Sequence, residues 1–261
     1  MTADLHVYRY GPQAPIRVLA LHGLTGHGKR WQTFATRHLA DVAIAAPDLI
    51  GHGRSSWDAP WTIDANVDAL AALLDANGGQ PVVVVGHSFG GAVALNLANA
   101  RPDLVGALVL LDPAIGLNGE RMREIADEML TSPDYADREE ARADKLAGSW
   151  KEVPDEEMEA ELDEHLIPWG GGVGWRMSLP AMMSYWSELA RPLVVPRSGT
   201  GTTLLRATKT RPQYVPGSLI KLLKSTLGQD FTLIDIDCDH MVPLARPEES
   251  AAAVRERLSQ I

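Results

Sequence analysis

Pro81-Val82-Val83-Val84-Val85-Gly86-His87-Ser88-Phe89-Gly90-Gly91 is the stretch on which the reading of this chain turns. Its four consecutive valines show no alternation of apolar and polar positions, the pattern of a strand buried on both faces of a parallel sheet. The run stops at Gly86, and an apolar helical pattern through Ala92, Val93, Leu95, Leu97 and Ala98 begins directly after Ser88. Strand, tight bend and helix around Gly-x-Ser-x-Gly form a nucleophile elbow, which presents the serine hydroxyl on a sharp turn. Glycine is required at 86 and 90 because a Cβ at either place would collide across the bend. Taken alone, the pentapeptide is equally compatible with a glycine-rich turn holding an inert serine. The rest of the chain has to decide.

At 261 residues there is room for one large domain or a domain with an insertion. With 45% hydrophobic and 22% charged residues, the composition is that of an ordinary soluble globular protein. A formal net charge of -10 argues against nucleic-acid and anionic-membrane partners, both of which ask for a basic face. Cys238 is the only cysteine, so no intrachain disulfide can form and no oxidising compartment is required. Met1-Thr2-Ala3-Asp4-Leu5-His6 lacks the basic-then-apolar pattern of a leader, and no window reaches the length of a membrane span. The expected location is cytoplasmic. Nothing in the sequence sets an oligomeric state.

Working outward from the elbow, Leu5–Tyr10 and Ile16–Leu21 read as strands. The second of them ends in His22-Gly23-Leu24-Thr25-Gly26-His27-Gly28. A helix through Trp31, Phe34 and Leu39 follows, then a strand Val42–Ala46 and the loop Pro47-Asp48-Leu49-Ile50-Gly51-His52-Gly53-Arg54-Ser55, in which Asp48 caps or braces the turn. Ile63, Val67, Leu70 and Leu74 give an amphipathic helix. After the elbow helix comes an apolar strand Val105–Leu111. Strands alternating with helices specify an α/β fold with a mostly parallel sheet. From about Gly119 to Pro168 the rhythm breaks into acidic amphipathic helices without a convincing strand, their charges assigned to solvated faces. Trp169 to Trp175 reads as a flexible glycine stretch, a hinge or a loop, and a helix with Met182, Met183, Tyr185 and Trp186 follows. The αβ pattern resumes with strands Thr202–Ala207 and Phe231–Asp237 and helices Ser218–Leu227 and Pro247–Leu258. The expected organisation is a core of residues 1–113 and 199–261 with a helical cap of residues 114–198 inserted.

Three chemistry-bearing features now stand in order: His22-Gly23 after an early strand, Ser88 in the elbow, and His240 after the last strand. In open α/β sheets the site forms outside the carboxyl ends of the strands, so the three converge on one edge. A serine hydroxyl becomes a nucleophile when an imidazole takes its proton, and the imidazole needs an orienting carboxylate.

Five motifs, His22-Gly23, Asp48-Leu49-x-Gly51-His52-Gly53-x-Ser55, Gly86-His87-Ser88-Phe89-Gly90-Gly91, Leu111-Asp112-Pro113 and Asp239-His240, occur in the order in which the α/β-hydrolase fold family carries them. Over nearly its whole length the chain resembles that family, most of all its small actinobacterial, mycobacterial-type lipase/esterase-like members with a helical cap. The resemblance implies a serine carboxylic-ester hydrolase, acting on a small-molecule ester through an acyl-enzyme and without cofactor. Ser88 would be the nucleophile and His240 the base. The Phe89 N–H, which follows the nucleophile, and by resemblance the Leu24 N–H would form the oxyanion hole. A serine at this position excludes the haloalkane dehalogenase and epoxide hydrolase branches, which by resemblance use Asp there. The scaffold hosts other reactions, so thioesterase, C–C hydrolase or lyase chemistry remains an alternative, and a non-catalytic binding protein a more distant one.

The acid departs from the family's commoner pattern. That pattern places an Asp in the loop after the strand 202–207, but no Asp or Glu occurs from Leu189 to Gln229. Asp112 is the expected acid, because it ends the strand next to the elbow strand and some lipases of this fold keep their acid in a Leu-Asp-Pro-Ala motif such as 111–114. The competing role for Asp112 is to bond turn amides at the cap junction. Asp237 and Asp239 lie too close in sequence to reach the far ring nitrogen of His240. His22, Met182, Trp186 and Met241 are the candidate pocket residues, with ordinary helix packing the competing role of the cap methionines and tryptophans. His52 and His87 are read as loop-shaping, and Cys238 as a small buried hydrophobe. No His-Glu-x-x-His or comparable spacing suggests a metal.

Overall fold

The apolar run 82–85 is continuous because it feeds two cores. β4 (Val82–His87) lies mid-sheet, with Val82 and Val84 packed into the larger apolar cluster and Val83 and Val85 into the smaller one on the opposite face. The computed structural model describes residues 4–261, so Met1, Thr2 and Ala3 of the N-terminal stretch lie outside the described residues. The central sheet has seven strands, in the order β1 (Val7–Tyr10), β3 (Ile44–Pro47), β2 (Val18–Leu21), β4, β5 (Val105–Leu111), β8 (Gly201–Ala207) and β9 (Phe231–Ile236). Only the edge strand β1 runs antiparallel; every other pairing is parallel. The sheet is therefore the mostly parallel α/β arrangement that the alternating pattern implied, in keeping with the α/β-hydrolase fold that the chain resembles.

Helices cover both faces. α1 (Ile63–Ala76) is capped by the Thr62 hydroxyl, which accepts from Ala65 N–H at 3.0 Å, and it packs beside the elbow helix α2 (Phe89–Ala100). α9 (Pro247–Leu258) packs on the other face against β5 and β8.

Residues between β5 and β8 contribute no strand to the central sheet. They form α3 (Gly119–Thr131), α4 (Arg138–Ala147), α5 (Asp155–His165), the hairpin β6 (Leu166–Trp169) and β7 (Gly172–Trp175), and α6 (Leu179–Glu188). α7 (Gly217–Leu227) and the short α8 (Val242–Ala245) complete the set. The inserted elements bind the loop after β3: Tyr185 Oη donates to Ile50 O at 2.9 Å, and Met177 bridges His52.

Two local expectations are corrected. The glycine stretch 169–175 holds the turn and second strand of an antiparallel hairpin instead of a hinge or loop, and Leu166, within the stretch expected to hold helices and no strand, begins its first strand. Its glycines serve close contact: Gly170 turns the chain at φ +62, and a Cβ on Gly172 would overlap the Tyr135 carbonyl. The apolar positions Trp31, Phe34 and Leu39 are buried as expected, but from a 3₁₀ turn at Gly28–Trp31 and a wide π turn at Phe34–His38 instead of one helix.

The elbow depends on backbone passing backbone. A Cβ on Gly86 would sit 2.5 Å from Gly90 O, and one on Gly90 would lie 2.6 Å from His22 O and overlap Leu21 O. Gly90→Ala is expected to lower stability by about 1–3 kcal/mol, the cost of overpacking a site with no free volume. Urea unfolding measures it; an unchanged midpoint would show that the two backbones can separate.

Candidate active site

Ser88 sits between β4 and α2 at φ 52 and ψ -118, a left-handed conformation that a serine adopts only when its surroundings compel it. Its N–H donates to Leu111 O at 3.1 Å. Strand register then places the next group. β4 and β5 pair His87 with Leu111, so Ser88 and Asp112, each one residue further on, emerge side by side at the carboxyl edge. Asp112 is itself at φ 45, with its N–H on Leu205 O at 2.8 Å.

A continuous hydrogen-bonded line joins the sequence-expected residues. Ser88 Oγ lies 2.9 Å from His240 Nε2, and His240 Nδ1 lies 2.6 Å from Asp112 Oδ2. Asp112 is 1% exposed, and its second oxygen accepts the Ala207 N–H at 3.1 Å. The carboxylate is therefore held from two sides with neither oxygen spare. This fixes the imidazole with Nδ1–H donating to the acid and Nε2 free to accept from serine. Asp239 Oδ1 instead accepts its neighbour's N–H, that of His240, at 2.7 Å, and the Asp237 carboxylate lies 3.5 Å from Lys209 Nζ.

The loop after β2 lies against Ser88: a Cβ on Gly23 would be 3.1 Å from Ser88 Cβ. Leu24 follows in that turn. Phe89 is the first residue of α2, where N–H groups have no acceptor within the helix. Among the described residues the Leu24 N–H has no backbone acceptor either. Two unpaired donors thus flank Ser88 at a helix N-terminus, which favours negative charge.

The other histidines are backbone braces. His22 accepts Leu49 N–H at Nε2 (2.9 Å) and donates from Nδ1 to Gly23 O (2.8 Å). His52 Nδ1 reaches Ile50 O at 3.0 Å, and His87 Nε2 donates to the His240 carbonyl at 2.8 Å. Burial pushes all three imidazoles below their ordinary range, His52 to about 4 and the other two well down. Asp48 braces its loop, accepting Gly28 N–H at 2.6 Å and Arg54 N–H at 2.8 Å. Cys238 is buried, its thiol pushed up to about 12 by burial.

Of the candidate pocket residues, Met182 and Met241 are buried in the larger core and Trp186 packs at its margin. None of the three, nor His22, lines the cleft of about 600 Å³ that opens beside Thr25. That cleft is bounded by Thr25, Met129, Tyr135, Lys145, Trp150 and Trp175, among others. Three features escaped the sequence reading. Tyr214, from the loop after β8, packs against His240 with ring centroids 4.2 Å apart and the planes tilted by 37°. His87 packs near the same imidazole at 4.8 Å. Glu161 is buried, although α5 was read as solvated. A signal for it existed: 158, 161, 162 and 165 fall on one helical face, and Met158 and Leu162 are apolar.

Residues 18–253 match the model of the alpha/beta hydrolase family. Over 259 residues the chain is 61% identical to Lipase LipV of Mycobacterium tuberculosis, covering 99% of each. It is 42% identical over 106 residues to an esterase of the same organism, covering 40% of this chain and 35% of that protein. Among solved structures it resembles E-2-(acetamidomethylene)succinate hydrolase, with a TM-score of 0.83 at 22% identity over 98% of this chain and 96% of that one. A marine microorganism esterase gives 0.77 at 19% identity over 97% and 99%.

The buried histidines set a pH dependence of folding. His22, His52 and His87 stay neutral in the native state below the pH at which they protonate when unfolded, so acid favours the unfolded chain. Stability is expected to fall as pH drops below about 6.5, by about 1.4 kcal/mol per pH unit for each such histidine. Urea midpoints at pH 7.5 and 5.5 check this, and equal values would contradict it.

Proposed function

The chain belongs to the alpha/beta hydrolase family, and on that premise we propose that it is a serine carboxylic-ester hydrolase with Ser88 as nucleophile. The lipase that matches it end to end supports the reaction class. The observation that carries the assignment of residues is the unbroken line Asp112–His240–Ser88 beside two unpaired N–H groups.

His240 Nε2 takes the Ser88 proton as Oγ attacks the ester carbonyl. The carbonyl oxygen gains the electron pair and is held by the Leu24 and Phe89 N–H groups. On collapse, His240 protonates the departing alkoxide oxygen and an acyl-enzyme remains. Water then attacks with His240 again as base, and the acid is released as Ser88 recovers its proton. Asp112 keeps the imidazole in the tautomer that this sequence needs and stabilises the imidazolium between steps. Its second oxygen is occupied by Ala207 N–H, so it orients without taking the proton.

Residues 114–198 act in this reading as a cap on a core of 1–113 and 199–261. The cleft next to Thr25 supplies space for the larger arm of the ester. No helix among the described residues is long and apolar enough to cross a membrane. With one buried cysteine and no disulfide to maintain, a cytoplasmic site of action is part of the proposal.

Ser88→Ala should abolish hydrolysis of a p-nitrophenyl ester and labelling by a fluorophosphonate while circular dichroism stays native. A folded variant with full activity would end the proposal. Asp112→Asn should lower kcat by about 10⁴-fold, the scale seen when the orienting carboxylate of a triad is lost. A loss below about tenfold would place the acid elsewhere.

A further inference from the structure

Glu161 belongs to the inserted helix α5, yet it bonds the core. Arg30 grips it as a fork, Nη2 on Oε1 at 2.5 Å and Nε on Oε2 at 2.8 Å. His27 Nε2 lies 3.0 Å from Oε2, and Lys145 Nζ lies 3.0 Å from Oε1. Lys145 is in turn held between the rings of Trp150 and Trp175, 4.3 and 4.1 Å from their centroids. Burial alone would raise the Glu161 carboxyl, but the charges of Arg30, Lys145 and His27 hold it well below its ordinary range.

Arg30 has a second bond, and it leads to the oxyanion turn. The same Nη2 donates to the Thr25 carbonyl at 3.0 Å, and His165 Nε2 reaches that carbonyl at 3.1 Å. Thr25 follows Leu24 and sits at φ 60, a conformation a β-branched residue avoids unless it is held there. The turn 23–26 is closed by Gly26 N–H on Gly23 O at 3.0 Å, with His22 on the same carbonyl. Leu24 therefore lies between two pinned carbonyls, one fixed from within the core and one fixed through Arg30. His165 shares the Thr25 carbonyl, but Arg30 is the partner that joins it to Glu161, whose two oxygens set the guanidinium plane.

We propose that Glu161 and Arg30 are positioning residues of the oxyanion hole: the inserted helix fixes Arg30, and Arg30 fixes the turn that aims the Leu24 N–H at Ser88. The inference rests on the proposed role of Leu24. It also couples the cleft to the chemistry, because Lys145 and the two tryptophans that bind it line that cleft while Glu161 bonds Lys145. The same helix provides a control. Glu164 bonds Lys29 at 2.6 Å and Arg54 across the same junction, and among the described residues it has no hydrogen bond to the turn 23–26.

Arg30→Lys keeps the charge opposite Glu161, but one ammonium cannot reproduce the fork and the Thr25 bond together. With a p-nitrophenyl ester, kcat should fall about tenfold or more while KM stays within about threefold, since an oxyanion donor acts in the transition state. Fluorophosphonate labelling of Ser88 should slow in proportion, and the pH profile should keep its midpoint because His240 is untouched. Glu161→Gln should show the same split and is the deciding variant if Arg30→Lys does not fold. Glu164→Gln should lower Tm with kcat within about twofold. A folded Arg30 or Glu161 variant with unchanged kcat, or an equal kcat loss in Glu164→Gln, would overturn the inference. Wild-type protein that neither hydrolyses the ester nor takes the label would instead overturn the function on which it rests.

Discussion

The close passage of the elbow backbone across the end of β2 is the constraint on which the rest of the structure depends. Gly86 and Gly90 have no room for a Cβ, and a Cβ on Gly23 would press on Ser88 itself. Ser88 is consequently driven into a left-handed conformation, with α2 starting at the very next residue. That one turn does three things at once. It lifts the hydroxyl above the sheet edge, leaves the Phe89 N–H without a helical acceptor, and lays the His22–Leu24 turn alongside. The strain is offset by the apolar layers beneath, where Val82 to Val85 are each fully buried.

The parallel register then decides which carboxylate can serve. His240 descends from beyond β9, two strands away from β5, and its ring is held near Ser88 by His87 on its carbonyl and Tyr214 on its face. A carboxylate can reach Nδ1 from the end of β5 or from the end of β8. In this chain the end of β8 contributes a backbone N–H, from Ala207, to an acid carried by β5. The loop that lacks every carboxylate is not idle, since it delivers Tyr214 over the imidazole.

The insertion is acidic, and most of its charge is solvated as expected, with Arg138 and Arg142 meeting Glu159 on the exposed face. Glu161 and Glu164 are the exceptions. Burying a carboxylate is costly unless several hydrogen-bonded partners meet it, and Glu161 has Arg30, His27 and Lys145 within 3.0 Å. Such a junction is a rigid one. It ties the wall of the cleft to the turn beside Ser88, so the inserted helices are bonded to the core at the candidate site.

Period and local chemistry in the sequence were enough for the alternating elements, the central buried strand, the elbow and the order of the serine, aspartate and histidine. Each of these is written in neighbours along the chain: an unbroken valine run, glycines two residues either side of a serine, an Asp-Pro at a strand end. Tertiary structure alone decided what those neighbours could not express. The 166–175 hairpin formed because Gly172 lets the Tyr135 carbonyl approach, a contact 37 residues away in the chain. Ser88 and Asp112 came side by side because the β4–β5 register pairs His87 with Leu111, and His240 reached Asp112 across 128 positions of chain. Glu161 looked solvated because its three nitrogen partners come from residues 27, 30 and 145, and periodicity reports which face of a helix is buried but not which groups will be waiting there.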